Sequence, residues 1–226
     1  MTQKGTFEGL QAQLDWLNEQ PHAEKIVIAG NHDMLLDHNF SSTDARMTYG
    51  KRQQLHWGSI HYLQDTTINL KFRGGRSIEV FGSPWTRKHG NWAFQYADSG
   101  EQWRNRIPQD TDILVTHMPP QCHLDLDGEG DRALLQEIKR VKPKLHCFGH
   151  FHASYGSETM VHDSFEDAFE QAMQPQASLW HLVILALACL RSLLSGRVGP
   201  QTVLVNASYV SGFLDDRRRE PIVVCI

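Results

Sequence analysis

The sequence has few cysteines, no long basic run and no amino-terminal apolar segment. Four cysteines in 226 residues show no paired metal-binding spacing and do not form the framework of a secreted disulfide domain. The formal net charge of -4 argues against a surface for nucleic-acid polymers, which requires clustered lysine and arginine. Residues 1–5 carry no targeting pattern. We therefore expect a cytoplasmic protein with reduced thiols.

Length and composition set the size of the fold. A chain of 226 residues with 40% hydrophobic content is long enough for one domain with a real core and too short to require two. We expect one domain over residues 1–226, with a helical insert at about 157–200.

Three apolar runs that are typical of buried strands are each followed by side chains that bind metals or transfer protons. In an open α/β sheet, ligands bind beyond the carboxyl ends of the strands. A lone histidine after a strand is usually structural, and the chain has 13 histidines. Ligand-type side chains at three strand ends are much less expected by chance, so a shared site is favoured. An extended backbone at His150 and His152 would point both rings to one side. The runs 25–30, 112–116 and 145–148 lead to Asn31, His32, Asp33, His117, His150 and His152.

In these motifs and in their order, the chain resembles the calcineurin-like metallophosphoesterase superfamily. The motifs are Gly-Asn-His-Asp at 30–33, Thr-His at 116–117 and Gly-His-Phe-His at 149–152. Gly-Ser-Pro-Trp at 82–85 and Thr-His-Met-Pro-Pro at 116–120 are similar to the metallophosphoesterase-domain-containing branch, which includes cyclic-nucleotide phosphodiesterases. That branch usually has glycine at the position of Met118. The resemblance implies an α/β fold, a two-sheet β-sandwich flanked by helices.

The resemblance also implies a metal-dependent phosphoric ester hydrolase, a phosphodiesterase or phosphomonoesterase. Its substrate would be a small phosphate ester, with a cyclic nucleotide as one candidate. Two divalent ions, Mn, Fe or Zn, would be the cofactors. The resemblance assigns Asn31, His117 and His150 to one metal and His152 to the other. It gives His32 the role of proton donor, with Asp33 holding its tautomer.

The resemblance predicts further that part of the family pattern is missing from this sequence. The family begins with two strands that end in Asp-x-His and Gly-Asp, whereas this chain starts at the helix that follows them. We therefore expect the first strands and three metal ligands to be absent, and hydrolysis by the 226 residues to be impaired. The alternative is a catalytically inactive relative that binds a partner or a membrane.

Two apolar patterns after residue 160 indicate helices. Residues 163–173 form an acidic amphipathic pattern, and residues 179–194 are almost continuously apolar. A helix over 179–194 would be about 24 Å long, short of the roughly 30 Å hydrocarbon core, so we do not expect it to span a membrane. A packing helix and a membrane-surface helix both remain open.

The remaining elements follow local patterns. Helices are expected over 7–17, between 34 and 57, and after an Asp131 cap; a hairpin is expected from 68–72 and 77–81. The aromatic residues between 92 and 103 indicate loop packing more than base stacking. The loop 122–128 lacks the spacing of a calcium loop and is interpreted as a rim of the site. Closing strands are expected over 202–205 and 221–226.

Overall fold

The computed structural model describes residues 1–40, 49–97, 101–211 and 217–226, with the backbone alone at 49–51. The chain forms two compact units. The first comprises Met1–Gln102 and Val115–Met118, and the second comprises Trp103–Leu114 and Pro119–Ile226. A single domain over residues 1–226 stays a prediction.

The first unit begins with helix α1, Phe7–Asn18, as the apolar spacing predicts. The side chain of Thr6 caps this helix by accepting a hydrogen bond of 3.2 Å from the backbone N–H of Gly9. Leu10 and Leu14 are buried in a core that includes Val27 of strand β1. Strand β1, Lys25–Val27, pairs in parallel with β2, Ile60–Tyr62. This helix and sheet hold the start of the loop that carries Asn31.

The predicted hairpin is confirmed in the first unit. Strand β3, Thr66–Lys71, pairs antiparallel with β4, Ser77–Ser83. Gly74 and Gly75 have φ values of 86° and 83°, a left-handed conformation that glycine adopts at low cost. Strands β5, Thr86–Arg87, and β6, Gln95–Tyr96, form a short parallel pair.

The region between 34 and 57 differs from the helices expected there. The structure has two short 3₁₀ segments, Met34–Leu36 and Tyr49–Gln54, among the described residues of this region. Residues 41–48 of this region lie outside the described residues. The segment has no sustained apolar periodicity, which explains why an α-helix does not extend through its described part.

The second unit contains the α/β rhythm that the sequence predicts. Strand β7, Ile113–Thr116, is divided between the two units and is followed by α2, Arg132–Val141, and β8, Leu145–Phe148. Asp131 caps α2 by accepting from the N–H of Leu134 at 2.8 Å, and Lys142 ends it with a φ of 56°.

A six-stranded sheet has the order β3-β4-β7-β8-β10-β9, where β9 is Gly156–Val161 and β10 is Gln201–Asn206. Strand β10 pairs in parallel with β8 and antiparallel with β9. Strand β10 contains the predicted strand 202–205. The predicted α/β fold with flanking helices is confirmed, as a mixed fold with a large central sheet.

Helices α3, Ser164–Ala172, and α4, Leu179–Ser195, lie between β9 and β10 in the sequence. Both were expected from the apolar patterns. Because β9 and β10 pair antiparallel, these helices form an insertion in a hairpin connection. The helical part covers 164–195, so the predicted insert at 157–200 also includes most of β9.

The prediction of a strand over 221–226 is wrong. Strand β12, Arg217–Arg218, instead pairs antiparallel with β11, Val210–Ser211. The side chains of both arginines are exposed although their backbone is paired. The guanidinium of Arg218 lies 5.7 Å from the ring centre of Tyr209, which favours this pairing.

Helix α4 has an unusual exposure for its composition. The structure describes all of its residues, and none of them is buried. Leu179, Trp180, Leu193 and Leu194 are 74–81% exposed. A buried packing helix is therefore excluded as an interpretation of this segment. Among the described residues, no helix is both long enough and apolar enough to cross a membrane.

The buried imidazole of His146 in β8 predicts a pH dependence of stability. Burial, with a smaller contribution from the charge of His123, lowers the pKa of His146 to about 3. The unfolded chain, with a histidine pKa of about 6.5, binds more protons than the folded chain between these values. The free energy of unfolding should therefore fall on acidification below about pH 6.5, by up to about 1.4 kcal/mol per pH unit for this group.

Urea unfolding across this pH window measures the effect. His146→Phe should reduce the slope of unfolding free energy against pH, whatever its own cost in stability. His22→Phe, at an exposed position, should leave the slope unchanged. An equal slope in the protein and in His146→Phe would contradict the assignment.

Candidate metal and phosphoester site

Asn31 and His117 come from two different strand ends and meet in the first unit. Asn31 follows β1 and is 6% exposed, and His117 follows β7. The Nε2 atom of His117 lies 2.8 Å from Oδ1 of Asn31. An amide oxygen and a neutral imidazole are donors that suit Mn²⁺, Fe²⁺ and Zn²⁺. The donor pair therefore fits the metal that the motifs imply.

Gly30 makes the close approach of His117 possible. A Cβ atom at residue 30 would lie 2.7 Å from Cε1 of the His117 ring, a distance that real Cβ contacts essentially never show. The backbone N–H of His117 donates to the carbonyl oxygen of Ser83 at 3.3 Å, which ties the residue to the end of β4. A glycine directly before Asn31 is thus required for the two donors to meet.

Met118 occupies the position at which the related branch usually has glycine. Its side chain is 2% exposed. The hydroxyl of Thr86 lies 3.2 Å from the Met118 sulfur, and the hydroxyl of Thr116 donates to the Met118 carbonyl at 2.7 Å. The substitution therefore fills the interior of the first unit, and its side chain is a packing group.

His32 lies beside an aromatic ring and a backbone carbonyl. Its Nδ1 atom is 2.9 Å from the carbonyl oxygen of Gln3, which can only accept, so Nδ1 carries a hydrogen. The ring centre is 4.3 Å from that of Trp92. Sequence reasoning placed Trp92 in a packing loop and did not connect it to His32. The remaining ring nitrogen, Nε2, is the position from which His32 would exchange a proton.

The contacts of Asp33 differ from the prediction that it holds the tautomer of His32. Its carboxylate is fully buried and accepts from the backbone N–H of Gly30 at 2.8 Å and of Thr2 at 2.9 Å. The amino group of Met1 lies 2.9 Å from the same carboxylate. Nδ1 of His32 is held by Gln3 instead. Asp33 therefore ties the first residues of the chain to the backbone directly before Asn31.

The backbone after β8 is not extended, contrary to the expectation for His150 and His152. His150 has a φ of 69°, and His152 begins a 3₁₀ turn that ends at Ser154. The N–H of Phe151 donates to the Gly149 carbonyl at 2.8 Å, so the chain turns directly after the strand. Strand alternation therefore does not set the directions of the two rings. A histidine in the left-handed region is uncommon and is found at functional sites more often than elsewhere.

The loop 122–128 is organised by Asp125. Its carboxylate accepts from the backbone N–H groups of Cys122 at 2.8 Å, Gly128 at 3.2 Å and Gly130 at 2.9 Å. An aspartate with these local acceptor roles stabilises a turn. Asp125 is thus a structural residue of this loop, as its burial also indicates.

Two of the four aromatic residues of the loop pack in the interior, as expected. Phe94 and Trp103 are both 0% exposed, and the rings of Trp85 and Phe94 meet edge to face at 6.0 Å. Trp92 and Tyr96 are half-buried, and the Trp92 ring lies against His32. All four cysteines are free, and burial raises the pKa of the Cys147 thiol to about 11.

A family model for calcineurin-like phosphoesterases matches residues 2–154. The chain belongs to the calcineurin-like phosphoesterase family. This match includes the three motifs at 30–33, 116–117 and 149–152. The family consists of metal-dependent phosphoester hydrolases, and the pair of Asn31 and His117 agrees with that chemistry.

Two curated relatives and one solved structure are similar to this calcineurin-like chain. "Probable rhamnogalacturonate lyase C" of Emericella nidulans is 43% identical over 100% of this chain and 22% of that protein. "Metallophosphoesterase domain-containing protein 1" of Homo sapiens is 34% identical over 63% of this chain and 48% of that protein. The chain thus spans less than half the length of either. The crystal structure of TT1561 of Thermus thermophilus has a TM-score of 0.48 at 13% identity, over 92% of this chain and 72% of that one.

Proposed function

We propose that this calcineurin-like protein hydrolyses phosphoric esters, as a phosphodiesterase or phosphomonoesterase. The proposal rests on the distance of 2.8 Å between Nε2 of His117 and Oδ1 of Asn31. Both residues belong to motifs within the matched phosphoesterase region. The substrate class is a small phosphate ester, with a cyclic nucleotide as a candidate because the related branch includes such enzymes. The formal charge of -4 gives no support to a nucleic-acid polymer as substrate.

The proposed metal ligands are Asn31, His117 and His150 for one ion and His152 for a second, with Mn, Fe or Zn as the candidates. Bound divalent ions would polarise the phosphoryl group and lower the pKa of an attacking water. Hydrogen bonding between His117 and Asn31 must give way for Nε2 and Oδ1 to act as ligands. Metal affinity should therefore fall at acid pH, where the imidazole is protonated.

His32 is proposed as the general acid. The Gln3 carbonyl fixes the hydrogen on Nδ1, so Nε2 of a charged His32 would donate its proton to the departing ester oxygen. Trp92 limits the rotation of the ring by packing against it. Protonation of the leaving group matters most when that group is a poor one, such as an alkyl or sugar alkoxide.

The purified protein, treated with a chelator and then supplied with Mn²⁺ or Zn²⁺, tests the proposal. Hydrolysis of bis(p-nitrophenyl) phosphate and p-nitrophenyl phosphate should appear only with metal and should be lost in His117→Ala. Absence of metal-dependent hydrolysis of both esters would reject the proposal.

A second candidate function is favoured by α4. Its exposed apolar surface supports a role as a membrane-peripheral protein, which would hold with or without hydrolysis. A helix of 17 residues is about 26 Å long, and Trp180 near its start is suited to a lipid interface. We propose a cytoplasmic protein that makes peripheral membrane contact through residues 179–194.

Carbonate extraction and vesicle binding measure this contact. Carbonate should release the protein from the membranes of expressing cells, and the pure protein should float with phosphatidylcholine vesicles. Leu187→Glu and Leu190→Glu remove exposed apolar side chains from α4, and each should weaken vesicle binding about tenfold or more. Met173→Glu, an exposed apolar position outside α4, should not. Retention in the carbonate pellet would instead show a spanning segment.

A further inference from the structure

A buried histidine in the second unit faces two buried glutamates, none of which belongs to the proposed phosphoester site. His123, in the loop after β7, is 4% exposed, and Glu166 and Glu170 of α3 are 7% and 6% exposed. The two glutamates are four residues apart, so they lie on the same face of the helix. Charged groups are rarely buried to this degree without a partner that neutralises them.

The atoms that face one another have the chemistry of metal ligands. Nε2 of His123 lies 3.6 Å from Oε1 of Glu170 and 4.0 Å from Oε1 of Glu166. One ligand atom from each of the three residues lies within 4.8 Å of the others. Among the described residues, neither Nε2 of His123 nor Oε1 of Glu170 has a hydrogen-bond partner, although both atoms are buried. Two unsatisfied polar atoms are thus aimed at the same point.

The outer atoms of the same three side chains are held by other residues. Nδ1 of His123 lies 2.7 Å from Oε1 of Glu158, which would fix the hydrogen on Nδ1 and leave the Nε2 lone pair available. Oε2 of Glu170 accepts from Lys139 at 2.6 Å, and Oε2 of Glu166 accepts from Arg197 at 2.6 Å. A carboxylate that orients the second nitrogen of a histidine is typical of metal-binding histidines.

The charge of this region is strongly negative. Five carboxylates face two cations, which leaves three negative charges when His123 is neutral. A divalent ion would reduce this excess to one. The carboxylates are Glu158, Asp163, Glu166, Asp167 and Glu170, and the cations are Lys139 and Arg197.

We propose that His123, Glu166 and Glu170 bind a divalent transition-metal ion. One imidazole and two carboxylate oxygens suit Zn²⁺, Mn²⁺ or Fe²⁺, whereas Ca²⁺ takes oxygen ligands alone. Ligand atoms of a tetrahedral zinc site are about 3.3 Å apart, so the His123–Glu170 distance of 3.6 Å would shorten by about 0.3 Å and the His123–Glu166 distance of 4.0 Å by about 0.7 Å. The ion would join the loop 122–128 to α3, which makes its role structural.

A proton is the competing occupant. Burial lowers the pKa of His123, but the hydrogen bond to Glu158 and the nearby carboxylates of Glu170 and Glu166 outweigh this effect and raise it to about 9. A protonated imidazole would then neutralise one carboxylate and exclude the metal. Both occupants depend on the same residues, so the experiment must separate metal binding from simple ion pairing.

The number of metal ions bound per chain distinguishes metal binding from ion pairing. All proteins carry His117→Ala, so that the proposed phosphoester site contributes less to the count. After chelation and dialysis against Zn²⁺ or Co²⁺, elemental analysis should find one equivalent fewer in His123→Gln and in Glu170→Gln than in the parent. Co²⁺ bound by the parent should also show a d–d absorption band that both variants lack. Two variants are used because one of them could fail to fold, which circular dichroism detects.

Asp167→Asn is the matched control. Asp167 lies on the same helix and contacts Lys139, as Glu170 does, but its side chain is 54% exposed and is not one of the three ligands. This variant loses the same charge and should keep the full metal count and the Co²⁺ absorption band of the parent. Equal counts in the parent, His123→Gln and Glu170→Gln would overturn the proposal. So would NMR evidence that His123 stays protonated at neutral pH in the presence of Zn²⁺.

Discussion

Replacement of His117 by alanine is expected to remove both bound metal and phosphoester hydrolysis. Its Nε2 atom meets the Oδ1 atom of Asn31 at 2.8 Å, so the substitution takes away one of two donors that converge on one point. Loss of a ligand from a site with few protein ligands should lower metal affinity by at least tenfold. Turnover should fall by about 10²-fold or more, because both activation of water and charge neutralisation depend on the ion.

Elemental analysis and a hydrolysis assay at saturating metal measure the two effects together. His22→Ala, an exposed histidine that follows α1, is the control and should change neither quantity. His150→Ala should behave as His117→Ala does if both bind the same ion. Full metal content in His117→Ala would show that other residues hold the ion and would remove the main support for the proposed function.

The elements that the sequence predicts well are those with strong local signals. The cap and apolar face of α2, the double glycine between β3 and β4, and the apolar runs of β1, β7 and β8 all depend on residues that are close in the chain. The same runs place Asn31 and His117 at strand ends. Their contact then follows from the general geometry of α/β sheets, even though 86 residues separate them.

Other features depend on contacts that no local pattern contains. The left-handed backbone of His150 is a property of the turn after β8, whereas alternation along the sequence suggested an extended chain. Asp33 binds the backbone of Thr2 and Gly30, and the adjacent His32 finds the Gln3 carbonyl. The segment 221–226 is rich in apolar residues, yet the structure has no strand there.

The cluster around His123 also could not be predicted from the sequence, because its residues are far apart in the chain. The i, i+4 spacing of Glu166 and Glu170 was visible in the sequence as part of an acidic amphipathic helix, which usually indicates a solvated face. Here that face is buried, because the loop that carries His123 packs against it. A histidine more than forty residues away gives no local signal that it will face these carboxylates, so the candidate metal site required the structure.

His32→Ala is expected to lower turnover about 10²–10⁴-fold while leaving metal content almost unchanged. The ring is held by the Gln3 carbonyl and by Trp92, and it is not one of the proposed metal ligands. Its loss should therefore remove proton transfer without removing the ion. Elemental analysis and steady-state kinetics of the metal-loaded protein measure the two quantities, and His89→Ala, an exposed histidine of the same unit, is the control.

The dependence on leaving group separates acid catalysis from a general loss of structure. A p-nitrophenolate ion departs readily without a proton, so His32→Ala should slow aryl esters much less than alkyl or nucleoside esters. The pH–rate profile should also lose the limb that reports ionisation of the acid. Equal losses on both classes of ester would argue that His32 only positions the substrate, and loss of metal in His32→Ala would make it a ligand, because removal of an acid alone leaves the ion in place.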